Sequence, residues 1–178
     1  MSDNSLDMNP IPISQIPSPN DALFLEWCAV IGFFTVSWSP IERSIDQCFH
    51  MLRDLQKANS GGCAKTNQRA KKIEFIKQSL EILPDFGHLL ENYPDLISKT
   101  DEIAEIRNIL IHGLIESWTC SGITISKIQK SNEEHLREIF HFSMPQLASV
   151  QPTFTAVSDQ WNEISEELRL KNTDKGKG

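Results

Sequence analysis

The sequence predicts an all-α protein, an antiparallel helical bundle with one small β-hairpin. Three observations carry this prediction. Apolar residues recur at helical spacing through most of the chain, helix-start signals stand in front of these runs, and a short β-branched stretch follows Gly113. The chain has 178 residues, which suits one domain with a real core.

Residues 1–18 hold Pro10, Pro12 and Pro17 among polar residues and fit no helical period, so an extended or disordered arm is expected. The folded domain is expected over 19–171. Ser18 is suited to cap a first helix, with Pro19 at its first position and Asp21 closing the box. That helix is predicted over 19–38, with Leu23, Trp27, Val30, Ile31 and Phe34 on its apolar face. Ser39-Pro40-Ile41-Glu42 is a second capping box, marking a new helix or a kink in a longer one. Beyond it, Ile41, Ile45, Cys48, Phe49, Leu52 and Leu55 form a clear inner stripe, ended by Asn59-Ser60-Gly61-Gly62.

A third helix is predicted from Lys65 to Leu83, stopped by Pro84. A connection with a helical turn near His88-Leu89-Leu90 follows. The next helix is expected from Asp95 to Ile111 or His112, with Ile103, Ile106 and Leu110 facing inward. Gly113 is expected as a left-handed residue closing it. Leu114 to Trp118 and Ile123 to Ile128, separated by Thr119 to Gly122, read as a hairpin. Ser131-x-x-Glu134 reads as a capping box leading a short helix through Phe140. In the last helix Leu147, Val150, Phe154, Val157, Trp161, Ile164 and Leu168 make a heptad seam, interrupted by Pro152 and expected to bury itself within the chain. The tail 172–178 is polar and expected to fray.

The longest apolar stretch, Ala29 to Val36, is interrupted by Gly32 and Thr35, and no membrane span is expected. The N-terminus carries Asp3 and Asp7 instead of a basic leader, so a cytoplasmic location is the expectation. Cys28, Cys48, Cys63 and Cys120 are scattered and read as reduced thiols. Metal ligation and a cofactor are not expected, because no histidine or cysteine pairs stand at ligand spacing. His135 and His141 are six apart, a poor pair on a helix; His50 and His88 stand alone. Trp38, Trp118 and Trp161 read as core residues.

A net charge of -7 argues against a broad electrostatic grip on nucleic acid. One local exception is the window 57–77, where Lys57, Lys65, Arg69, Lys71, Lys72 and Lys77 face a single acid, Glu74. It reads either as a solvated helix face or as a basic patch for phosphates, with Lys65, Arg69, Lys71 and Lys72 the candidate contacts.

The candidate chemistry lies in Arg107-Asn108-Ile109-Leu110-Ile111-His112-Gly113. Asn108 and His112 are four apart and share a helix face. Arg107 lies about 140° round from His112, within reach of a long side chain. A cation, an amide and an imidazole would meet at a helix end. Arginine holds phosphate bidentately, and histidine exchanges protons near neutral pH. RNA supplies its own nucleophile in the 2′-hydroxyl. The structural alternative is a histidine interacting with the helix dipole, a capping glycine, and Arg107 paired with Glu102. Glu116 follows on the predicted strand and reads as solvated, though near enough to approach the site.

This segment resembles the Arg-x4–6-His motif of the HEPN superfamily, in which a polar residue commonly follows the arginine. The run Gly32 to Leu55, with Trp38, Ile41-Glu42 and Ile45, also resembles an early helix of that family. The resemblance implies a homodimer of helical bundles and metal-independent endoribonuclease activity on RNA, in a toxin–antitoxin, defence or RNA-processing context with an antitoxin or defence partner. It assigns phosphate contact to Arg107, phosphate positioning to Asn108 and proton transfer to His112. Some HEPN toxins carry a tyrosine two residues after the histidine. Here Leu114 stands there, so regulation through that tyrosine has no counterpart. A HEPN-like module that binds nucleotide or nucleic acid without cutting it, and a purely structural helical protein, are the alternatives.

Overall fold

The computed structural model describes residues 21–60, 68–131 and 134–175. The predicted arm, Ser18, Pro19, Cys63 and Lys65 lie outside them. Asp21 caps the first helix, its carboxylate accepting from the amides of Leu23 (3.0 Å) and Phe24 (3.4 Å). That helix, α1 (Ala22–Ser60), runs 39 residues through Pro40 without restarting. Proline leaves the carbonyl of Val36 without its helical donor. Both residues face outward, Val36 being 73% exposed, so water can serve that carbonyl. The inner stripe from Trp27 through Phe34, Trp38, Ile41, Ile45, Phe49 and Leu52 is buried. By length and composition this helix is long and apolar enough to cross a membrane. An 18-residue window of it has a mean hydropathy of 1.5 and is 17% buried, whereas the apolar run interrupted at Gly32 and Thr35 predicts no span.

Helix α2 (Arg69–Ile82) begins four residues later than predicted. The connection after it is a 3-10 helix, Pro84–Leu90, with Phe86 buried. Helix α3 (Tyr93–His112) starts at Tyr93 instead of Asp95, because Tyr93 is itself buried and donates its hydroxyl to the carbonyl of Ile73 at 2.9 Å. Helix α4 (Met144–Lys175) passes through Pro152 unbroken. Its seam residues Leu147, Phe154, Val157, Trp161, Ile164 and Leu168 are buried inside the chain.

The bundle is not simply antiparallel. Phe34 packs on Phe154 with ring centres 5.2 Å apart, Ser44 donates to Asn162 at 2.5 Å, and Ser165 donates to Gln47 at 3.2 Å. Numbers rise together, so α1 and α4 run parallel. The pairs Asp46–Lys72, Phe49–Phe75 and Gln56–Ser79 align α2 with them. Only α3 opposes. It descends from the level where His88 meets Glu167 to the end where Trp27 Nε1 donates to the carbonyl of Thr119. The reason is the sheet, which sits where α3 finishes and from which α4 sets out in the direction of α1.

That sheet has three antiparallel strands in the order β1-β2-β3: β1 (Leu114–Trp118), β2 (Ile123–Ser131) and β3 (Glu134–Phe142). The first two are the predicted hairpin. The third replaces the helix expected after Ser131. A capping box is a local signal, whereas the outer edge of β2 offers a ladder of backbone partners and the chain takes it. Ile123 pairs with Phe142 and Ile125 with Phe140, and both phenylalanines pack on the core.

Gly113 joins α3 to β1 with φ -79° and ψ 158°, extended and not left-handed. Glycine is required there by space. A Cβ would stand 2.2 Å from Ile125 Cγ2 and 2.6 Å from the carbonyl oxygen of Ile109. Gly113→Ala is expected to lower stability by about 1–3 kcal/mol, the usual range for overpacking, in urea unfolding followed by circular dichroism. A variant as stable as the parent would show that β2 yields freely to α3.

Candidate functional site

The last turn of α3 is anchored by Ile109 and Leu110, both 3% exposed, and by the Gly113 amide donating to the Ile109 carbonyl at 2.9 Å. From this fixed turn Arg107 and Asn108 emerge half-buried and His112 emerges exposed. The three side chains meet. Arg107 Nη1 donates to Asn108 Oδ1 at 3.0 Å and lies 3.2 Å from His112 Nε2. Arginine can only donate, so Nε2 accepts and the neutral ring carries its proton on Nδ1. The guanidinium thus bends across the last turn as its length allows. Among the described residues no carboxylate pairs with Arg107, and its buried Nε has no hydrogen-bond partner. The Glu102 partnership considered from sequence is not formed. Two chemical capacities follow: a guanidinium that keeps donors for an anion, and an exposed imidazole whose Nε2 is held only by that guanidinium.

The basic window behaves differently. Arg69 Nη2 contacts Asp101 Oδ1 at 2.9 Å and its guanidinium lies 5.4 Å from the centre of the Trp38 ring. Lys72 Nζ contacts Asp46 Oδ1 at 2.6 Å. These two cations fasten α2 to α3 and α1. Lys71 is exposed, and Lys65 lies outside the described residues. The acids are distant in sequence, which is why the window looks unbalanced when read alone.

Sequence reasoning missed a second polar cluster. Glu116 sits at an irregularity in the β1–β2 register, between Ile115 and Ser117. It accepts from the Ser126 hydroxyl and from Arg137. The Ser126 hydrogen bond first, then Arg137, hold its carboxyl below the ordinary value of 4.5. Arg137 escaped notice because its segment was read as helix. Phe140 and Phe142, two apart around His141, were the available signal.

Of the other histidines, His50 is exposed and stands edge-on to Phe49. His88 lies 2.9 Å from Glu167, and His141 Nδ1 lies 3.0 Å from Thr124 Oγ1. Among the described residues no group of three His, Cys, Asp or Glu is placed to hold a metal ion. Cys28, Cys48 and Cys120 are free thiols, and burial pushes Cys48 up to about 12, leaving it inert as a nucleophile.

A lowered folded pKa means that Glu116 stabilises the fold above its ordinary range and loses that contribution as pH falls through the lowered value. Glu116→Gln is therefore expected to cost up to about 1 kcal/mol at neutral pH, the size of a partly exposed ion pair. The gap to the parent should close in acid, read from urea midpoints across pH. An equal gap at both ends would mean that the carboxylate charge plays no part. No family model, curated protein or solved structure matches this chain, so the reading of the site rests on its geometry.

Proposed function

We propose that the Arg107–Asn108–His112 cluster is a phosphate-handling site and that the chain is a metal-independent endoribonuclease of HEPN type, acting as a homodimer on RNA. The observation that carries this reading is the guanidinium held 3.0 Å from Asn108 Oδ1 and 3.2 Å from His112 Nε2 at an open helix end, with no acid neutralising it among the described residues.

A phosphodiester presents charged acceptors that compete well for guanidinium donors against a neutral amide and imidazole. Binding would turn the Arg107 fork onto the phosphate and release His112 Nε2. That nitrogen would then take the proton of the 2′-hydroxyl. The 2′-oxygen bonds to phosphorus, the P–O5′ bond breaks, and the 5′-oxygen leaves with a proton from water. Arg107 would stabilise the charge gathering on the phosphoryl oxygens. Asn108 would keep the guanidinium aligned. The pairing of Arg69 and Lys72 with Asp101 and Asp46 supports a small footprint on RNA centred on Arg107 instead of a long basic track. A toxin–antitoxin, defence or RNA-processing role belongs to this reading.

The purified chain is expected to cleave RNA in EDTA and to leave a 2′,3′-cyclic phosphate, seen by mass spectrometry of the fragments. His112→Ala should slow cleavage by about a hundredfold or more, the usual contribution of a positioned general base, with an unchanged circular dichroism spectrum. Arg107→Lys keeps the charge but loses the fork and should also fall. RNA binding retained with no cleavage by the parent would favour a non-catalytic module. Identical behaviour of parent and both variants would leave the motif a helix end only.

A further inference from the structure

Helix α1 changes character at Pro40. Beyond it the exposed face carries Arg43, Gln47, His50 and Asp54. Before it the exposed face carries Leu25, Cys28, Ala29, Gly32 and Val36, with Leu25 52% and Val36 73% exposed. From Ala22 to Ser39 the one charged residue is Glu26. Glu26, Thr35 and Ser39 are exposed as well, but an exposed helix strip this apolar is a surface to be covered. Yet only 17% of the apolar window is buried. The cause is visible in the packing. The α2 contacts begin at Trp38 and continue to Gln56, so α2 covers only the second half. On the α4 flank two clefts of about 360 and 220 Å³ open beside this first half and share Phe33 and Gln151.

We infer that a second copy of this chain covers this face, its α1 crossing antiparallel about a two-fold axis at Gly32. Self-complementarity argues for this occupant. Asp21 and Arg43 lie equally far along the chain on either side of Gly32, both exposed, so the axis sets each opposite the other's counterpart in the second copy. The same register places Cys28 opposite Val36, Ala29 opposite Thr35 and Leu25 opposite Ser39. Gly32 then sits at the crossing. Among the described residues nothing lies within 4 Å of a Cβ built there, so no contact they make requires glycine. Glycine inside a helix costs about 0.5–1 kcal/mol relative to alanine, and a close helix crossing uses its small size. The apolar strip is about 25 Å long and about 10 Å wide. The two strips together amount to roughly 500 Å², and covering the flanking clefts as well would bring the buried area toward the roughly 1,000 Å² at the lower bound for a specific interface. Such a dimer dissociates on dilution. A lipid surface fits less well, because helices that lie on bilayers carry basic residues beside the apolar face, and this end carries Asp21 and Glu26. The inference rests on α1 alone and not on the ribonuclease reading.

Sedimentation velocity on the full chain over a dilution series tests it. The parent is expected as a dimer that dissociates as concentration falls. Gly32→Leu and Val36→Arg both point into open space, and should keep the circular dichroism spectrum while weakening the dimer about tenfold or more. Arg43→Asp should weaken it less. In a Cys63→Ser, Cys120→Ser background, Val36→Cys should be joined to Cys28 of the other copy by a short bismaleimide. A monomer at every concentration overturns the proposal, as does a dimer indifferent to Gly32→Leu and Val36→Arg. Adsorption to phosphatidylcholine–phosphatidylserine vesicles without self-association, or a monomer whose α1 amides are shielded by residues preceding Asp21, overturns it as well.

Discussion

The approach of α3 to β2 at Gly113 governs the rest of the molecule. With no side chain there, the helix turns into a strand within one residue, and Ile125 seats itself against the helix end. That seating sets where the sheet lies, and the sheet sets where α4 begins. It also fixes the last turn of α3, so Arg107, Asn108 and His112 project from a rigid support. A larger residue would push the sheet away from the turn that carries all three.

The core above this junction is closed by polar contacts as well as apolar ones. Trp161 is fully buried and donates its indole N–H to Thr100 Oγ1 at 3.0 Å; that hydroxyl in turn donates to the Leu96 carbonyl at 2.7 Å. Tyr93 stands edge-on to Trp161 and spends its hydroxyl on the Ile73 carbonyl. These buried donors fix α3 against α4 and α2, because leaving any of them unmade costs more than the bond contributes. Net hydrophobic packing holds the helices together; these bonds select one arrangement of them.

Charge is divided between structure and chemistry. Arg69, Lys72 and Arg137 each meet a carboxylate from another element and serve as fasteners. Arg107 meets an amide and an imidazole instead. A cation with neutral partners keeps its affinity for anions. This difference, more than the number of basic residues, separates the α3 terminus from the window on α2. The net charge of -7 makes that local exception matter.

Much of the helical framework was legible in the sequence by itself. Apolar period placed α1 and α3 to within a few residues and marked the buried seam of α4, and the Arg107–His112 spacing marked a place where three useful side chains converge. Such signals are local, since a helix satisfies its own backbone within a few residues. The tertiary structure decided what depends on distant partners. It made a strand of 134–142, since an open edge of β2 outweighed a capping box. It set α4 in the direction of α1, since the sheet returns the chain to the end where α1 starts, and it laid α2 parallel to α1. It paired Arg69 and Lys72 with acids remote in sequence, and it turned Gly113 from a conformational stop into a point of contact. In each case the deciding atoms lie far along the chain, where no spacing rule reaches them.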